Sequence, residues 1–235
     1  MGVTIEEARE LVADRLLWPH IRDFLWDFAP QVHTSWLAGL PGLETLSAGS
    51  EGDGAESPRA MRLMSSPRVK RHVLDLLGVE PCFHAFPKDD WSRLLLLDGS
   101  TLESVAKWLG AIACAGSLRR VTDGATVRNL KASLPGVYPE VFGFTEYFRG
   151  LDFGRKGAEA QGSDLANGEV VVQEGVAMVS GVLSGLPESL VSRLKLKLPK
   201  GLCDVEPLRL KPEMCGKALA KLLKLKFPEA YKLCC

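Results

Sequence analysis

Residues 100–116 read STLESVAKWLGAIACAG, and their pattern sets the expected class of fold. Leu102, Val105, Ala106, Leu109, Ile112 and Ala113 recur at the separations of one helix face turned to a core. Ser100 and Glu103 stand at capping-box spacing, in which a hydroxyl and a carboxylate close the first helical turn reciprocally. Gly116 is the expected stop, because glycine accepts the left-handed conformation that ends many helices. Beyond it, Leu118-Arg119-Arg120-Val121 continues helical after a brief turn. Asp123-Gly124 restarts a helix through Val127, Leu130, Lys131 and Leu134, and Pro135-Gly136 breaks it.

Further along, Val137–Arg149 is an aromatic-rich segment interrupted by Pro139, and the glycines of Gly150–Gly168 read as a loop. Val172, Val176, Val179, Val182 and Leu183 share one side of the next helix. Gly175 and Gly181 cost it about 1 kcal/mol each against alanine, so they read as points where another helix crosses closely. Pro187 opens a short helix, and Leu194-Lys195-Leu196-Lys197-Leu198 alternates like a strand before Pro199. Pro212 opens a basic amphipathic helix whose inner face carries Leu219, Leu222 and Leu223.

Upstream, the apolar run Leu94–Leu97 shows no period and reads as helix on leucine's propensity. Ser66-Pro67 looks like an N-cap with proline at the first helical position, and Gly78 like the C-terminal stop. Residues 47–58, SAGSEGDGAESP, lack any large apolar side chain and read as a flexible loop. Thr4 to Glu7 form another capping box, opening a helix that Pro19 ends. The expected organisation is an acidic helical segment at 1–46, a flexible loop at 47–66 and a main helical body at 67–235, folded as one unit. The whole is predicted mainly α, a compact multi-helix domain with at most a short strand or hairpin near its C-terminal third.

Composition narrows the function. Of 235 residues 46% are hydrophobic and 25% charged, which suffices for a globular core. No apolar run approaches the eighteen residues of a membrane span, and the acidic start Met1–Glu7 does not resemble a signal peptide, so the expected location is the cytoplasm. The six cysteines follow neither a disulfide framework nor a zinc spacing. A net charge of zero argues against a dedicated nucleic-acid binder. The charge is polarised, however. Residues 1–60 hold ten acids against four bases, and residues 186–235 hold eleven bases against five acids. Either the two ends attract each other or each faces a different partner.

Catalytic motifs are missing: no nucleophile elbow, phosphate loop or dinucleotide fingerprint occurs. Cys82-x-His84 resembles half a metal site, with no second pair to complete it. No enzyme, cofactor or metal is therefore expected. The hairpin of residues 101–134, with Arg119, Arg120, Arg128 and Lys131, superficially matches a helix-turn-helix. A nucleic-acid-binding regulator is thus the alternative reading.

Three segments, in order, resemble a known family. Phe28-Ala29-Pro30-Gln31-Val32-His33-Thr34-Ser35-Trp36-Leu37 is the first. Leu94–Leu97, Leu109-Gly110 (read as a turn) and Leu118-Arg119-Arg120-Val121-x-Asp123-Gly124 make the second. Gly175–Leu183 followed by Arg193-Leu194-Lys195-Leu196-Lys197-Leu198-Pro199 makes the third. Together they resemble the sorting-platform adaptors of type III secretion systems, the SctK, YscK or OrgA family. That resemblance implies a non-enzymatic cytoplasmic adaptor at the base of an injectisome, peripheral to the inner membrane. It would bridge the forkhead-associated-like cytoplasmic domain of the inner-membrane ring protein to the sorting-platform pod protein that carries the ATPase complex. It takes no small-molecule substrate.

Candidate partner-binding residues are Trp36, Arg119, Arg120, Asp123, Lys217, Lys221 and Lys224. Trp36 is either an exposed anchor, as tryptophan often is at binding hot spots, or buried against Leu37 and Leu40. Arg119, Arg120 and Asp123 form either a surface pair or a network fixing the hairpin. The three lysines belong to the basic side of the last amphipathic helix, with Lys211 and Lys226, a pattern that fits an acidic partner or membrane-surface contact.

Overall fold

The computed structural model describes residues 17–38, 40, 65–80, 84, 86–87, 91–149, 168–203 and 212–235. These hold ten α-helices and, among the described residues, no strand, so the mainly helical expectation holds. In chain order they are α1 (Trp18–Leu25), α2 (Thr34–Leu37), α3 (Pro67–Leu76), α4 (Gly99–Leu118) and α5 (Gly124–Ser133). There follow α6 (Val141–Phe144), α7 (Gly168–Val182), α8 (Glu188–Lys197), α9 (Pro212–Lys226) and α10 (Pro228–Cys234). The expected first helix, the loop at 47–58, Cys82 and nearly all of the loop at 150–168 lie outside the described residues.

The chain forms two compact units: Met1–Gly99 with Leu186–Gly201, and Ser100–Gly185 with Leu202–Cys235. In the first, Pro19 falls in the first turn of α1, where its missing N–H costs nothing. Ile21, Phe24 and Leu25, three and four apart, bury one face of that helix. Phe24 meets Phe28 and Phe86 edge-on at 5.5 and 5.7 Å. On α3, Pro67 opens the helix after Ser66, although the Ser66 hydroxyl makes no capping bond. Gly78, at φ +64°, ends that segment as expected. Lys70 reaches from α3 to Asp27 at 2.5 Å. Leu94–Leu97 are all buried, as a 3-10 turn over Ser92–Leu96 rather than an α-helix.

The strand-like alternation at Leu194–Leu198 is the last turn of α8 instead. Leu190, Arg193, Leu194 and Lys197 lie on its buried face at helical spacing. The lysine at 197 points inward, which an alternating pattern cannot reveal.

The second unit is built on two longer helices. Leu102, Val105, Ala106 and Leu109 are buried on α4, as expected. The helix begins at Gly99, before the expected capping box, and Glu103 pairs with Lys107 at 2.7 Å one turn on. It also runs straight through Gly116 to Leu118, and Leu109-Gly110 is mid-helix rather than a turn. The reason for Gly110 is steric. A Cβ there would stand 1.8 Å from the Val171 carbonyl oxygen of α7, and one at Gly175 would stand 1.8 Å from that of Ala106. The two helices cross backbone to backbone. Gly175 is thus a crossing point, whereas Gly181 meets nothing within 4 Å. α7 also packs on α5 and α9, and α9 buries Cys215, Ala218, Leu219, Leu222 and Leu223. Burial raises the Cys215 thiol above its ordinary pKa.

Candidate functional site

In the first unit, segments distant in sequence converge on α8. Arg193 and Lys197, one turn apart, are each only 2% exposed. Arg193 Nη1 donates to the carbonyls of Phe24 at 2.5 Å and Leu25 at 3.2 Å, and Nη2 donates to that of Glu80 at 3.0 Å. The first two are last-turn carbonyls of α1, which no N–H of that helix can satisfy. A cation there also meets the negative end of the helix dipole. The guanidinium lies 5.5 Å from the Phe24 ring and 5.3 Å from that of Phe28, within cation–π range.

Lys197 Nζ donates to the carbonyls of Leu95 at 2.6 Å and Leu97 at 2.8 Å, which tie the 3-10 turn to α8. Burial pushes the Lys197 amine down to about 7. Asp98 holds it up in part, and the Arg193 charge depresses it further.

The carbonyls at the end of α8 are taken from another direction. The His33 N–H donates to Leu196 O at 2.8 Å, the Trp36 indole N–H to Leu198 O at 2.8 Å, and the Lys200 N–H to Ser35 Oγ at 2.9 Å. The Lys200 ammonium stands 5.6 Å from the centre of the Trp36 ring. Trp36 is therefore half-buried, with its polar edge used inside the unit. Two sequence segments of different position, 28–37 and 193–199, together with the run at 94–97, form this one joint. It fastens one segment of the chain to another, through N–H groups that donate to carbonyl and hydroxyl oxygens. Arg193 and Lys197 were not among the candidate residues. The signal was their i, i+4 spacing, masked by the intervening Lys195 and the leucine alternation.

The other candidates lie in the second unit. Arg119 Nη2 donates to Phe142 O at 3.1 Å and to Thr145 Oγ1 at 2.7 Å, with its guanidinium 5.7 Å from the Phe142 ring. Arg120 is exposed. Asp123 caps α5, accepting from the Thr126 N–H at 2.7 Å and its hydroxyl at 2.8 Å, and these bonds hold its carboxyl below the ordinary aspartate pKa. No ion pair joins Asp123 to either arginine among the described residues. The helix-turn-helix alternative gains nothing here: the expected turn at Gly116 is helical, and Arg119 is used on the protein's own aromatic segment.

Lys217, Lys221 and Lys224 are exposed along the outer face of α9, with no carboxylate in ion-pair range among the described residues. The Lys221 ammonium lies 5.8 Å from the Phe148 ring. Lys226, on the opposite side of that helix, sits 4.5 Å from the Trp108 ring and 4.4 Å from Phe144, and pairs with Glu140 at 2.9 Å. Two large apolar side chains of the second unit stay open to solvent: Tyr147 is 53% exposed, and Leu225, next to Lys224 on α9, is 42% exposed. Among the described residues no group of His, Cys, Asp and Glu is placed to hold a metal, and no helix is long and apolar enough to cross a membrane.

The family described as YOP proteins translocation protein K (YscK) matches residues 29–235 of the chain. No curated protein and no solved structure matches it.

Proposed function

We propose, since this chain belongs to the YscK family of type III secretion proteins, that it works as a non-enzymatic adaptor at the cytoplasmic base of the injectisome. It bridges the forkhead-associated-like cytoplasmic domain of the inner-membrane ring protein to the sorting-platform pod protein carrying the ATPase complex. The observation that carries this reading is the family match over residues 29–235. A division into two compact units supports it, because each unit can offer a surface to a different neighbour. So does the open face of α9. Three exposed lysines, with no ion-pair partner among the described residues, and the exposed Leu225 beside Lys224 have the make-up of a contact patch: an apolar group to bury and charges to orient an acidic neighbour.

The test is recovery of partners from the native host on the tagged full-length chain. The ring protein and the pod protein are both expected. Recovery of neither overturns the adaptor reading. The triple variant Lys217→Glu, Lys221→Glu, Lys224→Glu is expected to lose one of the two partners at least tenfold while keeping the wild-type thermal transition. A variant that retains both partners removes the α9 face from the interface.

A further inference from the structure

We propose that Lys197 is a proton-operated latch, which holds the 3-10 turn at Ser92–Leu96 against α8 and leaves the folded unit more stable when its head group gives up a proton. The geometry argues for two usable protonation states. Nζ has two acceptors, the carbonyls of Leu95 and Leu97, and a neutral amine has two N–H bonds to give them. The charged form has a third N–H, and what faces it is the Phe24 ring, 5.0 Å away, with the Phe28 ring at 6.0 Å. A ring face is a weaker partner than water, so the buried ammonium recovers only part of the hydration it loses, beside a second buried cation, Arg193.

The charges around it favour the same conclusion. From its own helix Lys197 faces Arg193, a second buried cation, while Lys195 is exposed. From the turn it faces Asp98, which is exposed one residue beyond Leu97 and offsets the burial only in part. Arg93, in the same turn, is engaged by the Phe86 carbonyl at 2.9 Å. From α1 the Phe24 ring faces it, and the carbonyls of Phe24 and Leu25 go to Arg193. His33 meets α8 one residue away, through its main-chain N–H to Leu196, with its ring nitrogen on Ser35.

A midpoint of about 7 in the folded chain, against an ordinary lysine value of 10.5, fixes the direction of the effect. Between those two values the unfolded chain binds more protons than the folded one, so stability rises with pH. Below about 7 both states are protonated and the contribution is flat. The folded unit is therefore less stable on the acid side of neutrality and more stable on the alkaline side. Single-proton linkage allows up to about a tenfold change in the folding constant per pH unit within that window.

The direct experiment is a titration of the full-length chain carrying 13Cε-labelled lysine, followed by NMR from pH 5.5 to 10. One lysine signal is expected to titrate near pH 7, and to be missing from the spectra of Lys197→Arg and Lys197→Met. Should both variants fail to fold, the wild-type spectrum alone still decides. A set of lysine signals all titrating above pH 9 overturns the proposal. A second measurement asks whether the proton works the joint. The folding constant from urea titration should rise about tenfold between pH 6 and pH 8 in the wild type, beyond any rise in Lys197→Met. Equal pH profiles for the two proteins overturn the latch even if the lysine titrates as expected.

Discussion

The two units solve the same problem, fixing helices in place, by opposite means. In the first, short helices and turns are held by two buried basic side chains, Arg193 and Lys197, that reach carbonyls on three other segments. In the second, α4 and α7 approach until only hydrogen fits between their backbones, at Gly110 and Gly175. Short elements leave a larger share of their carbonyls unsatisfied than long ones, because the C-terminal end of each helix strands four of them. A unit made of such elements needs donors brought from elsewhere, and α8 supplies them. A unit of longer helices satisfies most of its backbone internally and can spend its interface on close packing. Conveniently, four of the five tryptophans, Trp18, Trp26, Trp36 and Trp91, belong to the first unit and Trp108 to the second. Fluorescence of single-tryptophan variants can therefore follow each unit separately.

The largest effect is expected from removing the arginine of the joint. Arg193→Met keeps the stem and the contact with Phe24 and Phe28, but leaves the carbonyls of Phe24, Leu25 and Glu80 without this donor. Stranding buried acceptors costs about 1–3 kcal/mol each, and the losses do not simply add. A destabilisation of about 3–5 kcal/mol is expected, measured by urea titration with Trp36 as the probe. If the contrast between the units is right, the Trp108 transition moves far less. Equal movement of both would mean that the two cores are one cooperative structure.

The converse experiment is Gly175→Ala. Its new methyl would enter the Ala106 carbonyl, so α7 must shift away from α4. Overpacking of this kind costs about 1–3 kcal/mol, and here the Trp108 transition should carry the loss while that of Trp36 holds. Gly181→Ala, on the same helix with open space around it, should be neutral or stabilising. This pair separates crowding at the crossing from the general effect of replacing a helical glycine.

The same contrast explains what could be read in the sequence. The second unit was largely legible, since its apolar residues face inward and its polar ones outward, which is the premise of periodicity. Leu102 to Ile112 gave α4, Asp123-Gly124 gave the start of α5, and Gly175 was expected at a crossing. Its misreadings came from treating glycine as a stop: Gly110 lies within α4 because glycine serves close approach as well as termination, and Gly116 lies within it too, with nothing in the structure requiring a glycine there. The first unit was less legible because it violates the premise. With Arg193 and Lys197 scored as outward-facing, Leu194–Leu198 has period two and looks like a strand. With both scored as core, the helix appears. Nothing local says that a lysine will find two carbonyls about a hundred residues away. Among the candidates, Trp36 falls in this joint through its neighbours, whereas the uses of Arg119 and Asp123 were not separable without the fold.

The smallest expected effect tests the rule that the second unit depends least on polar fastening. Asp123 is fully exposed, and its carboxylate does one job, accepting from Thr126 at the start of α5. Those bonds lower its pKa, so the folded state prefers the ionised form. The resulting stabilisation is present above the ordinary aspartate value of 3.8 and fades as pH falls through the lower folded value. Asp123→Ala should therefore lower the Trp108 transition by less than Gly175→Ala at pH 7, and the difference from wild type should shrink in strong acid. Asp123→Asn, which retains a side-chain acceptor, should keep most of the cap and lose the pH dependence. A loss in Asp123→Ala as large as that of Gly175→Ala would show that α5 is held by its cap rather than by Leu130 and its packing on α7. The second unit would then depend on polar fastening, as the first does.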